Sequence, residues 1–344
     1  MAMSRTETAA ATRSPSVGFF VPLADCPPEP GRDDLVPLKV GWSDLVALAL
    51  RAEDLGFDSF WLSDHFLMSF GEEAQFGFHE CWTFLAGLAA VTNRLRLGPL
   101  VTSTTYRNPA LVARMAASLD EMSGGRLVLG IGAGHNAYES HAFSFPYDHR
   151  ASRFEEAIQI ITGLLRDGKA NFEGSYYQAR DCELLPPGPR SGGVPVMVGA
   201  EGPRMIRIAA RHADELNIDV GTTVDFIGPL NASIDAACRE VGRDPVTLRR
   251  SALVMVDVSS PTLPGQAWGD LLFDGRAYRG TPEALAGVLR AYAAAGFSEV
   301  QIWLHPCSMA GMDAFAPVLA LLDGASPDGA ATSSGAHNKE APHD

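Results

Sequence analysis

Apolar residues recur along this chain in two alternating registers. Short unbroken apolar runs give way repeatedly to segments in which apolar residues return every third or fourth position. The first kind reads as a strand buried on both faces, the second as a helix with one buried face. Ser16–Leu23 is the first such strand, followed by a proline-rich loop to about Gly41. A helix comes next, with Ser43 as the expected N-cap and Leu45, Leu48, Ala49, Ala52 and Leu55 on one face. Gly56 stops it, and the strand Ser59–Leu62 ends abruptly in the polar residues Ser63, Asp64 and His65.

The same module then repeats. A helix over Cys81–Val91 leads to the strand Leu95–Val101, and a helix over Pro109–Met122 to the strand Arg126–Ile131. A helix over Phe154–Leu165 gathers Phe154, Ala157, Ile158, Ile161, Leu164 and Leu165 on one face. After an insertion come the strand Pro195–Val198, the helix Gly202–Arg211, the strand Glu215–Ile218 and a helix through Ser233–Val241. The strand Ser251–Val258 follows, and then Thr281 and Pro282 form an N-cap and first helical position ahead of Leu285, Val288, Leu289 and Tyr292. Gly296 ends that helix, and the strand Glu299–Leu304 and helix Met312–Leu322 close the series.

Strands alternating with helices imply a parallel sheet, since each helix carries the chain back to start the next strand in the same direction. Eight such units over roughly 310 residues predict an α/β fold, a (β/α)8 TIM barrel with loop insertions. A doubly wound sheet is the alternative; it would want a nucleotide fingerprint after its first strand, and residues 24–40 have none. The expected division is a disordered tail over 1–14, one barrel domain over 15–323, and a second disordered tail over 324–344.

Composition excludes several classes of partner. The 344 residues are 46% hydrophobic and 20% charged, ordinary for a full globular core. A net charge of −14 argues against nucleic acid and against an anionic membrane surface. Cys26, Cys81, Cys182, Cys238 and Cys307 are scattered and form no C-x-x-C pair, so they read as reduced thiols, with neither a disulfide framework nor a zinc site. Residues 1–15 lack the apolar stretch of a secretory signal, and no apolar run approaches the roughly 18 residues of a membrane span. A cytoplasmic location is expected.

A barrel keeps its chemistry at the carboxyl ends of its strands. His65 stands at one such end, where it serves either as a proton-transfer group or as a plain strand cap. Gly130, Gly132 and Gly134 form G-x-G-x-G at the fourth strand, which departs from the G-x-G-x-x-G of dinucleotide loops. They leave bare backbone for a flat ligand, or they permit tight barrel packing. Val198–Arg204 turns from a strand into a helix N-terminus, suited to a phosphate or simply a βα turn. His135, His141 and His149, with Glu139 nearby, lack the helix-spaced pair of a metal site, and no metal is expected. His79, Glu80 and Trp82 either line the pocket or start the helix that follows them.

Several stretches, in order and spacing, resemble the luciferase-like monooxygenases, the bacterial luciferase superfamily. They are Ala52–Phe66, Thr92–Gly98, Thr102–Pro109, Leu119–Asn136, Arg153–Leu165, Phe172–Tyr177, Pro195–Ala213 and Thr281–Leu304, and the resemblance covers about residues 16–322. It implies a TIM barrel holding reduced flavin (FMN) or the deazaflavin coenzyme F-420 at the carboxyl ends of its strands. In the F-420-dependent branch the Ser-Asp-His-Phe motif supplies an active-site histidine, here His65 beside Asp64. The third strand often carries a non-prolyl cis peptide behind the ring, which by position is Pro99–Leu100. The residues implied to bind the cofactor are Pro99, Leu100, Thr102, Gly134, His135 and Asn136, with Gly199, Ala200, Glu201 and Gly202 near its phosphate.

The resemblance also has limits. The family's sugar-phosphate dehydrogenases carry a glutamate just after the G-x-G-x-G run, where this chain has His135, and its only lysines are Lys39, Lys169 and Lys339. Luciferases proper carry an arginine within that run, where this chain has Ala133. The expectation is therefore an oxidoreductase that transfers hydride with F-420 on a small organic substrate. The alternatives are a two-component FMN monooxygenase fed by a separate reductase, and a non-catalytic flavin-binding barrel. Homodimers are common in the family. The substrate pocket is expected to be shaped by the loops at residues 24–41, 66–80 and 136–149.

Overall fold

The structure is a computed structural model that describes residues 14–28, 33, 38–69, 75–218, 224–266, 272 and 275–324. In chain order, β1 is Ser16–Val21, β2 Ala24–Asp25, α1 Trp42–Leu55, β3 Ser59–Leu62, β4 Leu67–Ser69, β5 Gln75–Phe78 and α2 Cys81–Val91. Then come β6 Arg96–Pro99, β7 Thr102–Ser103, α3 Pro109–Ser123, β8 Leu129–Gly132, α4 Ala137–Ala142, α5 Arg150–Asp167, β9 Lys169–Glu173 and β10 Gln178–Glu183. The last third holds β11 Val196–Gly199, α6 Gly202–His212, β12 Glu215–Ile218, α7 Val224–Glu240, β13 Arg249–Asp257, α8 Pro282–Ala294, β14 Glu299–His305 and α9 Met309–Leu322.

One parallel sheet of nine segments runs β6-β3-β1-β14-β13-β12-β11-β8-β7. Since β6 and β7 are consecutive pieces of the third strand, the nine segments make eight barrel positions. Hydrogen bonds from Leu97 N–H to the Arg126 carbonyl (3.0 Å) and from Val128 N–H to the Leu97 carbonyl (2.9 Å) close the ring. This is the expected (β/α)8 barrel.

The termini of its elements follow local chemistry. α1 begins two residues earlier than expected. Its N-cap is Gly41 and not Ser43, because the Asp44 carboxylate reaches back to the Gly41 N–H at 3.2 Å. Gly56, at φ 82°, ends α1 in the left-handed conformation that glycine adopts without a Cβ penalty. α3 starts where Asn108 Oδ1 accepts the Ala110 N–H, with Pro109 in its first turn. α8 starts at Thr281–Pro282 as the sequence indicates. α7 runs through Pro229 where the sequence suggested a later start, since Ile227 and Ile234 on either side are both buried. α9 starts at Met309, ahead of the expected Met312, where Ser308 accepts the Gly311 N–H.

Two pieces add to the barrel. β2, β5 and β4 form a small antiparallel sheet, and β9 and β10 form a hairpin. Both were anticipated only as loop or insertion, since β2, β4 and β5 are two to four residues long and β9 and β10 are mostly polar. The tails expected over 1–14 and 324–344 fall, apart from Ser14 and Gly324, outside the described residues. Among the described residues no helix is long and apolar enough to cross a membrane, and the five cysteines are free thiols.

Alternation along the strands sorts side chains between the barrel axis and the helix layer. The axial interior is polar towards the amino ends. Glu299 accepts from the Ser59 hydroxyl and from Trp61 Nε1 (3.1 Å) and pairs with Arg96 at 2.7 Å. Asn217 bridges Ser251 (2.9 Å) and Gln301 (3.0 Å). Further up, Phe20, Trp61, Leu100, Val128, Met197 and Leu253 form an apolar cluster, with Val101 and Trp303 packed against it and half-buried. An apolar floor therefore underlies the carboxyl end of the barrel.

Candidate active site

His65 stands two residues beyond Ser63 at the carboxyl end of β3, where the Ser63 hydroxyl donates to the Pro22 carbonyl. Its Nδ1 lies 3.0 Å from Glu139 Oε2. Glu139 is wholly buried. Its other oxygen accepts the backbone N–H groups of Phe66 and Leu67, and the Tyr106 hydroxyl donates to Oε2. Burial pushes the Glu139 carboxyl up, but the hydrogen bonds from His65, Tyr106 and the Phe66 N–H outweigh it and hold the group below the ordinary glutamate value. Glu139 is thus ionised at neutral pH and acts as an acceptor. The His65 ring packs against Phe78 and edge-on to His135, at centroid distances of 5.5 and 5.3 Å.

Asp64, the residue before His65, is buried and bound by both arms of the Arg107 guanidinium, at 2.6 and 3.1 Å. Burial raises the Asp64 carboxyl, and the guanidinium opposes that rise. Arg107 also donates to Glu80 and lies over the Phe66 and Trp82 rings, about 6 Å from each centroid. Glu80 caps α2 through the Thr83 N–H at 2.6 Å. Trp82 Nε1 donates to the Thr102 hydroxyl at 3.0 Å. Asp64, Glu80 and Trp82 are thus tied into one group around Arg107, beside the histidine motif. His79 stacks on Phe84.

The cis peptide expected at Pro99–Leu100 lies one bond further on, at Leu100–Val101. Pro99 is still in register with Leu62, and the Leu100 N–H still donates to the Leu62 carbonyl at 2.8 Å. The chain leaves β3 only after Leu100, and β7 then pairs with β8. The third strand changes neighbour at that bond.

The glycine run has a packing role. A Cβ on Gly130 would lie 2.0 Å from the Pro99 carbonyl oxygen, one on Gly132 2.7 Å from Val101 Cγ2, and one on Gly134 2.5 Å from Ser103 Oγ. Gly199 faces Val101 from the other side, at 3.2 Å. The space these glycines leave is filled by the third strand. Val101, half-buried between Gly132 and Gly199, is part of the apolar floor.

The remaining expected binders fall into two groups. Asn136 caps α4, accepting the Glu139 N–H (3.2 Å) and donating to the Leu67 carbonyl (2.7 Å). At β11–α6, Ala200 is buried and its N–H donates to the Asn217 carbonyl at 3.1 Å. Glu201 and Gly202 are exposed at the N-terminus of α6, and Gly202, at φ 74°, has open space where a Cβ would stand. The three loop histidines diverge, with His135 on His65, His141 on Tyr147 and His149 on Tyr176. Among the described residues, no three His, Cys, Asp or Glu side chains gather to hold a metal ion.

Sequence reasoning missed three residues of this arrangement. Tyr106 and Arg107 were seen only as part of a motif, and Glu139 only beside the loop histidines. The one local signal for Glu139 was Asn136-x-x-Glu139, a helix-capping spacing.

Comparison with known proteins agrees with this architecture. The F420-dependent glucose-6-phosphate dehydrogenase of Amycolatopsis mediterranei is 35% identical over 194 residues, covering 52% of this chain and 56% of that relative. The 5,10-methylenetetrahydromethanopterin reductase of Archaeoglobus fulgidus is 31% identical over 192 residues, covering 56% and 53%. The matched region thus spans little more than half the length of these relatives. Among solved structures, an F420-dependent secondary alcohol dehydrogenase in complex with an F420-acetone adduct superposes with a TM-score of 0.72 at 20% identity, covering 88% of this chain and 98% of the other. A riboflavin lyase with modified FMN and riboflavin superposes with 0.73 at 17% identity, covering 90% and 92%. Both structural likenesses concern the fold. The sequence profile of the luciferase-like monooxygenases matches residues 24–262, and the chain belongs to that family.

Proposed function

We propose that this protein is an F-420-dependent oxidoreductase acting on a small organic substrate, with His65 as the group that holds or delivers the proton accompanying hydride transfer. The observation that carries the reading is the His65 Nδ1 contact with buried, ionised Glu139. A carboxylate acceptor keeps the proton on Nδ1 and leaves the Nε2 lone pair to exchange a proton with a bound reactant. Fixed on one side by Glu139 and on the other by Phe78 and His135, the ring keeps one orientation without help from substrate. A storage barrel needs no such arrangement.

The residues present fit a flat cofactor with a phosphate. Val101 and Trp303 offer a half-exposed apolar surface at the carboxyl end of the barrel, on which a ring system can lie. The exposed turn at Glu201–Gly202 offers backbone N–H groups at the start of α6, where a Cβ is absent. When bound, a deazaflavin supplies hydride at a carbon and reacts poorly with oxygen. The barrel supplies orientation, a dry floor and the proton at His65. In this reading the active unit is the single barrel over 15–323, working in the cytoplasm as a homodimer in which each copy holds its own site, with a separate enzyme reducing the cofactor.

The test is a pair of titrations of the purified protein, one with F-420 and one with FMN, followed by assays with and without oxygen. Binding of F-420 and oxygen-independent turnover is the expected result. Binding of FMN alone, with oxygen-dependent product, would replace the reading with a two-component monooxygenase. Binding without turnover would leave a carrier.

A further inference from the structure

We propose that Tyr106 is a positioning residue that sets the proton affinity of His65 through Glu139. The proposal deepens the proton-transfer role given to His65 above, and it starts from the count of donors around one carboxylate. An ionised carboxylate has about four lone-pair sites. Glu139 Oε1 takes the Phe66 and Leu67 N–H groups, and Oε2 takes the Tyr106 hydroxyl and faces His65 Nδ1. Three of the four neighbours can only donate or are held as donors by their surroundings. The Tyr106 hydroxyl is buried against Glu139, and both burial and the neighbouring charge keep it protonated. The fourth site is therefore an acceptor for His65, whose neutral form holds its proton on Nδ1.

Tyr106 and His65 share the same oxygen. The hydroxyl draws charge from Oε2 and so weakens what Glu139 offers to a protonated imidazole. Without it, the carboxylate charge would concentrate on His65 and favour the imidazolium. The Tyr106 hydroxyl thus occupies the same oxygen that His65 Nδ1 faces at 3.0 Å. The other polar groups near the ring are accounted for. Asp64 is held by Arg107, Arg107 also by Glu80, and His135 meets the ring edge-on. Tyr106 also packs against Phe66 and Phe145, at centroid distances of 5.4 and 4.8 Å, contacts that phenylalanine would keep.

The test is a nitrogen-15 NMR titration of the histidine rings in the cofactor-free full chain, with the His65 signal assigned by its loss in His65→Gln. The wild type should show the Nδ1–H tautomer when neutral. In Tyr106→Phe the His65 midpoint should rise by about half a pH unit or more, the scale of one charge-assisted hydrogen bond shared between two donors. In Glu139→Gln it should fall below that of the wild type. An Nε2–H tautomer in the wild type, or an unmoved midpoint in folded Tyr106→Phe, would overturn the proposal. Because no cofactor is present, failure of F-420 to bind would refute the proposed activity and leave this result standing, and the reverse also holds.

Discussion

Arg107 grips both carboxylate oxygens of Asp64, and the two residues are 43 positions apart in the chain. The Asp64 side chain is wholly buried and that of Arg107 is only 12% exposed, so each is the other's main compensation for lost water. Tyr106, the preceding residue, reaches the opposite flank of His65 through Glu139. One short segment after β7 thus braces both sides of the histidine motif.

Breaking that brace should be costly. Arg107→Met would strip buried Asp64 of its counter-charge, so that the carboxyl must stay charged without a partner or take up a proton, for an expected loss of about 3–5 kcal/mol. Arg107→Lys should recover part of it, since an ammonium supplies charge but cannot form the two-armed contact or lie flat on Phe66 and Trp82. Combining Arg107→Met with Asp64→Asn should cost less than the sum of the two single changes. Urea unfolding of the four proteins measures this, and additive losses would show that the two side chains do not depend on each other.

Glu139 should give the site a pH-dependent stability of defined sign. Its folded-state value lies below the ordinary 4.5, so its contribution is complete above 4.5 and is lost as pH falls through the folded value. The stability difference between the wild type and Glu139→Gln should therefore be largest near neutrality and shrink in acid. Unfolding curves for both proteins at pH 7 and at lower pH test it; a difference that grows in acid would contradict the direction given to Glu139.

The barrel was legible in the sequence because its signals are local. Buried strands such as Ser16–Val21 and Ser59–Leu62 read as apolar runs, and stops such as Gly56 read as single residues. His65 was found because a polar break at a strand end is also local. The partners of His65 were not, because Glu139 is 74 residues away and nothing in either segment announces the other. The glycine run shows a different limit. A missing side chain marks a close approach, but the sequence does not say whether a ligand or the chain itself makes it. Here Pro99, Val101 and Ser103 do. The cis bond was displaced by one position because sequence does not show where β6 releases β3, which is after the Leu100 N–H.

That packing gives a third prediction. Gly132→Ala would set a Cβ 2.7 Å from Val101 Cγ2, and the expected cost is about 1–3 kcal/mol of overpacking. Val101→Ala removes the opposing methyl groups, so the double variant should recover most of the loss. Gly130→Ala should be worse and should not be rescued by Val101→Ala, because its Cβ meets the Pro99 carbonyl oxygen of the backbone. Thermal or urea midpoints for these variants decide it, and equal rescue at both positions would show that the two glycines are not distinguished by what they face.

The last prediction concerns His65 itself. His65→Ala removes the imidazole and leaves the Ser63 contact to Pro22 and the Arg107 clamp on Asp64 untouched, so the barrel should fold and the floor formed with Val101 and Trp303 should persist. Cofactor affinity should therefore change little. Turnover should fall by roughly 10²–10⁴-fold, the range for losing a positioned acid or base. Glu139 would then be left with the Tyr106 hydroxyl and two backbone donors, enough to stay ionised and too buried to replace the histidine. Added imidazole should restore part of the lost rate, since the cavity left by the ring opens beside the same carboxylate. Steady-state rates with the bound cofactor, measured with and without imidazole, test both points. Unchanged turnover in a folded, cofactor-bound His65→Ala would remove His65 from the chemistry and leave it as a strand-end cap.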